Sequence, residues 1–421
     1  MKHRLTPPLA AFALACACGF ASASAAAWAQ PSAPLTLEAA IDLALRANPT
    51  LRAAGSEVAA QQGALTQAGA RPNPELELLR EGAGGEGGRD GTTTATLNIP
   101  IELGGKRAAR VEAARQEGRL AAIALDAERA RVRADAAAAF HDVVAAQVRE
   151  RMARELVALA GRALAAADKR VEAGSLPPVE ATRARVAQGG ARIEALQAGR
   201  ELEGARIRLA ALWAGDARRL SINAAQAAAL PPAPPLDQLL AQLDEAPAMR
   251  HARTQVDQRE ALARLERARR TPDVNLIVGA QREGPDARNR AVVGLSVPLP
   301  LFNRNDGAVL DALRRVDKAR DQQDAERARL RAELAQAHAR LTAALAECAL
   351  ISTEILPGAE DAQRAASRGF ELGKFALIDV LDAQRMLAQS RNQYLNAVLD
   401  AHRAAADIVR LLGHAAVQEN P

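Results

Sequence analysis

Thr92-Thr93-Thr94-Ala95-Thr96-Leu97-Asn98-Ile99-Pro100-Ile101-Glu102-Leu103-Gly104-Gly105-Lys106-Arg107 contains the change of period on which the fold turns. Ala95, Leu97, Ile99 and Ile101 alternate with Thr94, Thr96, Asn98 and Pro100, which predicts a strand over residues 92–101 with one apolar and one polar face. Two glycines follow, and residues 103–172 then contain no proline and one aromatic. A continuous helix of that length would extend for about 100 Å. No compact globule needs such a rod.

Outward from this junction the same plan occurs twice. At a shift of 198 residues Arg52 meets Arg250, Val58 meets Val256, Pro74 meets Pro272, Pro100 meets Pro298 and Gly215 meets Gly413. At 199, Gly174 meets Gly373 and Glu180 meets Asp379. Such a unit is too long for a solenoid and reads as a duplicated module: a first repeat over residues 30–229, a proline-rich linker at 230–235, a second repeat over 236–415 and a tail at 416–421. Each repeat opens with a helix, at 35–70 and 236–270, with Thr36 as the expected first cap. Two strands follow, at 73–81 and 92–101, then at 273–283 and 290–302. A long helix and a returning helix close each repeat, at 103–172 and 178–213, then at 306–356 and 357–412. Six glycines in residues 82–91 make a loop between the first two strands.

Composition agrees with long helices. Among 421 residues only 2% are aromatic while 49% are hydrophobic, and Ala, Leu, Arg and Glu recur at three- and four-residue spacings suited to side-by-side coiled-coil packing. The net charge is +5, with both signs interspersed, so no basic face of the kind nucleic acid requires is present. Residues 1–29 read as a signal peptide: Lys2 and Arg4, an apolar stretch, then Ala27-Trp28-Ala29 before Gln30. The competing reading is a lipidated Cys16, against which stands Ala13 where such signals usually carry Leu. Removing the signal leaves Cys348 as the remaining cysteine, read as a buried structural thiol. No stretch after Gln30 approaches the roughly 18–20 apolar residues of a membrane-spanning helix.

The strands supply another route across a membrane. Four strands of nine to thirteen residues match the roughly 9–11 residues that tilted barrel strands need, each with one apolar face. Four cannot close a barrel, and an open edge in lipid leaves backbone groups unsatisfied. Two chains would pool eight strands and three would pool twelve, and the larger ring leaves a lumen. The expected fold is therefore mainly α with a small β part: long antiparallel coiled-coil helices plus four transmembrane strands per chain, completing a 12-stranded barrel as a homotrimer in a lipid bilayer. Thr94, Thr96, Asn275, Gln281 and Ser296 would line the lumen. Soluble hairpins capping a helical bundle are the alternative.

With this order of elements, two homologous halves and a signal peptide, the whole mature chain resembles the outer membrane factors, the TolC-like channel proteins. The most specific stretches are the turns Arg170-Val171-Glu172-Ala173-Gly174-Ser175 and Phe370-Glu371-Leu372-Gly373-Lys374, the second followed by Ile378-Asp379-Val380-Leu381-Asp382-Ala383. The resemblance implies that these turns form a periplasmic tip where Arg170, Gly174, Ser175, Phe370, Gly373 and Lys374 meet an adaptor protein. It also implies that Asp379 and Asp382 ring a closed entrance; by spacing alone they read as a solvated acidic first helical turn. Glu180 and Arg183 at the matching positions depart from an acidic ring.

The segments around Pro100, Gly104 and Gly105, and around Pro298, Pro300, Asn303 and Arg304, resemble the barrel-to-tunnel junctions of the heavy-metal, CzcC-like branch. Membership implies an exit duct working with a periplasmic adaptor and an inner membrane resistance-nodulation-division transporter. Its cargo would be metal cations of the cobalt, zinc and cadmium class or the copper and silver class. Ducts for drugs or secreted proteins, and a periplasmic scaffold without a barrel, are the alternatives. The residues give no catalytic motif: no nucleophile elbow, phosphate loop or paired acid and base, Glu75 and Glu77 being exposed by pattern. His141, His251, His338, His402 and His414 are scattered in sequence, so no metal site and no cofactor are expected.

Overall fold

The structure is a computed structural model describing residues 34–82, 91–222, 229–283 and 288–413. The signal segment 1–29 with its alternatives at Cys16 and Ala29, residues 83–90 of the glycine loop, His414 and the tail 416–421 lie outside them. The first repeat contains α1 (Leu37–Ala47), α2 (Pro49–Gly69), β1 (Glu75–Glu81), β2 (Thr92–Ile101), α3 (Lys106–Glu172) and α4 (Pro178–Ala211). The second contains α5 (Leu236–Ala241), α6 (Pro247–Ala268), β3 (Val274–Glu283), β4 (Arg288–Ser296), α7 (Asp306–Leu350), α8 (Leu356–Glu371) and α9 (Leu377–Leu412).

The opening helix of each repeat, expected as one piece, is broken in two. Thr36 caps α1 as expected, its Oγ1 accepting from the Ala39 N–H at 3.2 Å. Asn48 ends α1 and starts α2: its Oδ1 accepts from the Thr50 N–H at 2.8 Å, and its Nδ2 donates to Leu212 O at 2.9 Å. Pro49 takes the first helical position, where its missing N–H is no loss. Pro247 does the same for α6. The two prolines stand 198 residues apart, so the break belongs to the repeat.

The four strands form one antiparallel sheet in the order β1-β2-β3-β4. Each repeat supplies one hairpin, and the hairpins join where Thr96 pairs with Gly279. The register aligns Leu76, Leu97, Val278 and Val293 in one row, so the apolar residues share a face as the alternation predicted. Strand four ends at Ser296 rather than Phe302. Its partner β3 begins at Val274, and Pro298 and Pro300 have no N–H to give. Residues 297–302 leave the sheet with Phe302 fully exposed.

The long helices follow the expected plan except at Pro357. α3 is a single 67-residue helix. Instead of stopping, α7 passes through a π-turn at Ile351–Ile355 into α8, and the extra residue of the π-turn accommodates Pro357 without a reversal. The returning helix is α9 alone. This continuous helix contains a window of mean hydropathy 1.3, against the expectation that no later segment would be apolar enough to span. Leu334, Leu341 and Cys348 on this helix are buried, Leu334 and Leu341 in a cluster shared with α9 residues such as Ile408, while 22% of the window is buried and Leu350 and Ile355 are exposed.

Laterally the helices run α4, α3, α9, α7, with α2 and α6 alongside α3 and α7 near the sheet. Phe140, Leu209 and Trp213 centre a core in the first repeat, and Met249, Leu334 and Ile408 centre its counterpart in the second.

The β2–α3 connection fixes the sheet to the helices. Gly104 has φ 67°, and a Cβ there would lie 2.7 Å from Thr271 Cβ. Gly105 has φ 73° but open space around it. Gly104→Ala is therefore expected to lower unfolding stability by about 2–4 kcal/mol and Gly105→Ala by about 1 kcal/mol, measured by urea titration followed by circular dichroism. Equal effects would mean that the contact with Thr271 is immaterial.

Candidate functional site

The two helical hairpins meet at one tip. Gly174 at φ 68° and Gly373 at φ 75° take the left-handed geometry expected of them. The Ser175 N–H donates to Arg170 O at 2.9 Å and the Lys374 N–H to Gly369 O at 2.8 Å, so both turns close alike. Beneath them Ala167, Ala184, Phe370, Leu377 and Val380 form a cluster drawn from both repeats.

Arg170 fastens the tip. From the last turn of α3 it crosses to the other repeat, where Nη2 donates to Phe370 O at 2.5 Å and the guanidinium carbon lies 4.4 Å from the Phe370 ring centroid. A cation thus meets both the carbonyl end of α8 and an aromatic face. Phe370 is only 4% exposed. The expectation that it presents a docking surface is corrected: packed under Arg170, the ring holds the tip from inside. Gly174, Ser175, Gly373 and Lys374 are exposed. So is Phe375, which the sequence reading passed over because its position depends on packing against Gly369.

Asp379 and Asp382 lie on the exposed side of α9, while Val380 and Leu381 between them turn inward. Asp379 accepts from the Ala376 N–H at 2.9 Å and so caps its own helix. Asp382 faces Arg385 at 3.8 Å, a loose, solvent-screened pair. In the first repeat Glu180 is held by Arg183 at 2.7 Å.

At the opposite end two junctions tie strands to helices. Asp273 accepts from the Lys106 ammonium at 2.6 Å and from the Leu103 N–H at 3.0 Å. Arg110 binds Glu102 and donates to Ala68 O at 2.8 Å and Ala70 O at 3.0 Å. The hydrogen bond from Arg110 holds the Glu102 carboxyl below the usual carboxylate range. In the second repeat Asn305, left-handed at φ 61°, replaces Gly105, and its Nδ2 donates to Glu266 O at 2.9 Å. Asn303 accepts from the Asn305 N–H at 3.0 Å, while Arg304 is exposed. Pro100 lies within β2, pairing with Asn275; Pro298 and Pro300 lie beyond β4.

The register places Thr94 opposite Gln281 and Asn275 opposite Ser296. Alternation puts these four and Thr96 on one polar face. Glu75 and Glu77 share it, the latter accepting from Asn98 at 3.4 Å.

A long helical layer, a tip made by two repeats and a half-polar sheet is the architecture of a channel protomer, and the comparisons agree. The model of the outer membrane efflux protein family matches residues 40–215 and again 239–414. The chain belongs to the outer membrane efflux protein family. It is 40% identical to the cobalt-zinc-cadmium resistance protein CzcC of Cupriavidus metallidurans, over 91% of each chain. It is 29% identical to the nickel-cobalt-cadmium resistance protein NccC of Alcaligenes xylosoxydans xylosoxydans, over 66% of this chain and 64% of that one. The fold matches the outer membrane protein VceC of Vibrio cholerae with TM-score 0.76 at 21% identity, covering 90% of this chain and 96% of that one. CusC matches with TM-score 0.76 at 18% identity, covering 90% and 92%. This efflux protein is thus an outer membrane channel component, with its sheet in the barrel and its helices on the periplasmic side.

In this efflux protein α3 and α9 form the seam between the repeats. Glu155 faces Arg391 at 3.5 Å, Arg149 donates to Asn396 at 2.6 Å, and Asp142 pairs with Arg403 at 2.7 Å. Beside Asp142, His141 and His402 stack with centroids 3.6 Å apart and planes at 15°. The histidines expected to be scattered therefore include one pair brought together across the fold. Among the described residues no group of three or more His, Cys, Asp or Glu side chains is placed to hold a metal ion.

Burial pushes His402 down to about 4, and burial with the neighbouring His402 pushes His141 down to about 3. Both folded values lie below the unfolded value near 6.5, so the unfolded chain binds more protons in that interval and stability falls as pH drops below about 6.5. At pH 5 the loss is on the order of 2 kcal/mol for one ring. Urea titrations at pH 7.5 and 5.0 are expected to show this decline, and His402→Asn to reduce it; an undiminished decline in the variant would place the acid sensitivity elsewhere.

Proposed function

We propose that this protein is the exit duct of a tripartite pump that moves heavy-metal cations, of the cobalt, zinc and cadmium class or the copper and silver class, from periplasm to exterior. The 40% identity to a cobalt-zinc-cadmium resistance protein along nearly the whole chain is the observation that carries this reading. The duct is a homotrimer. β1 and β4 are the unpaired edges of the sheet, and three copies joined edge to edge give twelve strands and no edge. α4 is likewise an edge helix, with Val186, Ile193, Leu196 and Ile207 exposed for a neighbouring copy.

The two repeats, residues 30–229 and 236–415 joined by the linker at 230–235, contribute alternate parts of the wall. Thr94, Thr96, Asn275, Gln281 and Ser296, with Glu75 and Glu77, face the barrel lumen. At the other end Asp379 and Asp382 from three copies gather six carboxylates around the entrance, attractive to cations and mutually repulsive. The exposed turn residues Gly174, Ser175, Gly373 and Lys374 receive a periplasmic adaptor. Opening separates the two hairpins, which requires Arg170 to release Phe370 O. A resistance-nodulation-division transporter in the inner membrane supplies energy and selects cargo; the duct needs no cofactor and performs no catalysis.

Deletion of the gene is expected to sensitise cells selectively to zinc, cobalt and cadmium or to copper and silver, with complementation restoring growth. Sensitivity to dyes and antibiotics alone would overturn the cargo. In planar bilayers, Asp379→Asn with Asp382→Asn is expected to raise ion conductance several-fold. The amide introduced by Asp379→Asn retains an oxygen to accept from the Ala376 N–H, so the helix start survives while the charge is removed. Unchanged conductance and cation selectivity would exclude these carboxylates from the entrance.

A further inference from the structure

The outward face of the sheet carries two cations that the duct does not use. Alternation places Leu76, Leu78 and Arg80 on one face of β1, and Val278, Ala280 and Arg282 on the same face of the sheet in β3. The register carries the row across as Arg80, Thr93, Arg282 and Asn289. This row lies at the hairpin-loop end of the sheet, just beyond Leu78, Ala95, Ala280 and Ala291. The other end of the apolar face is Ile101 opposite Val274, next to the helices.

Eight residues separate the two ends along β2 or β3, about 26 Å along a strand and roughly 20 Å in height at the tilt of a barrel. That is close to the apolar band of an outer membrane barrel, so Arg80 and Arg282 stand where hydrocarbon gives way to headgroups on the external side. Both are exposed, and among the described residues neither has an acidic partner within ion-pair distance. On the polar face at the same level the situation is reversed: Arg290 is paired with Glu283 at 2.8 Å. The two outward arginines flank Thr93, and their strands lie about 10 Å apart, within reach of one diphosphorylated headgroup.

We infer that Arg80 and Arg282, with Thr93 and Asn289, bind the phosphorylated headgroup of an outer-leaflet glycolipid. The inference rests on the outer membrane placement of the sheet. Guanidinium groups match phosphate oxygens bidentately, and at the interface such contacts are drier than in bulk water. They also supply an anchor that these strands otherwise lack, since β1 to β4 contain no Trp, Tyr or Phe for an aromatic girdle.

The test uses the full-length protein, with diphosphorylated lipid A and its dephosphorylated form as probes in native mass spectrometry. The diphosphorylated lipid is expected to bind at least tenfold more tightly. Arg80→Gln with Arg282→Gln is expected to abolish that preference, Arg80→Lys with Arg282→Lys to keep part of it, and Arg290→Gln to leave it intact. A wild-type protein that binds both lipids equally, or a double Gln variant that keeps the preference, overturns the site. So does millimolar inorganic phosphate that stabilises the wild type against heat as much as the lipid does, because the ligand would then be a free anion. Retention of the wild type in carbonate-washed outer membranes is measured in parallel; its release would instead overturn the membrane placement.

Discussion

A backbone N–H or C=O facing hydrocarbon with no partner costs several kcal/mol, and this sheet has two edges lined with such groups. β1 and β4 can be satisfied in lipid only by another strand. Because each chain brings four strands, closure requires more than one copy, and the sheet's width sets the lumen that results. The helical layer answers the same demand. Its edge helix α4 leaves Val186, Ile193, Leu196 and Ile207 uncovered, so the surface that needs a neighbour continues along the periplasmic part.

The junctions transmit this constraint between two unlike structures. Strands advance with period two and helices with period 3.6, and the chain changes from one to the other at left-handed residues, Gly105 in one repeat and Asn305 in the other. Lys106 with Asp273, and Arg110 with Glu102, then hold the strand ends against three helices. At the far end the ties are fewer: Arg170 on Phe370 above an alanine-rich cluster. Under the proposed function, firm junctions and a lightly fastened tip suit a duct that opens at one end while its barrel stays closed.

Most of the architecture was legible because it rests on local pattern. Alternation gave the faces of all four strands, Thr36 announced its cap, and Gly174 and Gly373 announced their turns. Misreadings arose where one local signal was given too much or too little weight. Pro49 and Pro247, equivalent in the two repeats, broke helices read as continuous, whereas Pro357 did not end one because a π-turn absorbed it. Strand four was overextended because alternation continues past Ser296 although its partner strand does not. The burial of Phe370, the crossing of Arg170 and the stacking of His141 on His402 join positions 200 or more apart, and no local period encodes them.

The central claim is that the sheet edges of different copies pair in the membrane. Cysteines replacing Leu79 on β1 and Val292 on β4, in a chain with Cys348→Ala, place one thiol near each edge on the polar face. Treatment of outer membranes with a short thiol cross-linker is predicted to yield covalent species up to three chains when both cysteines are present. With only one, no three-chain species should form. Absence of links between chains in a protein that remains membrane-inserted, or a ladder extending beyond three, would contradict the account.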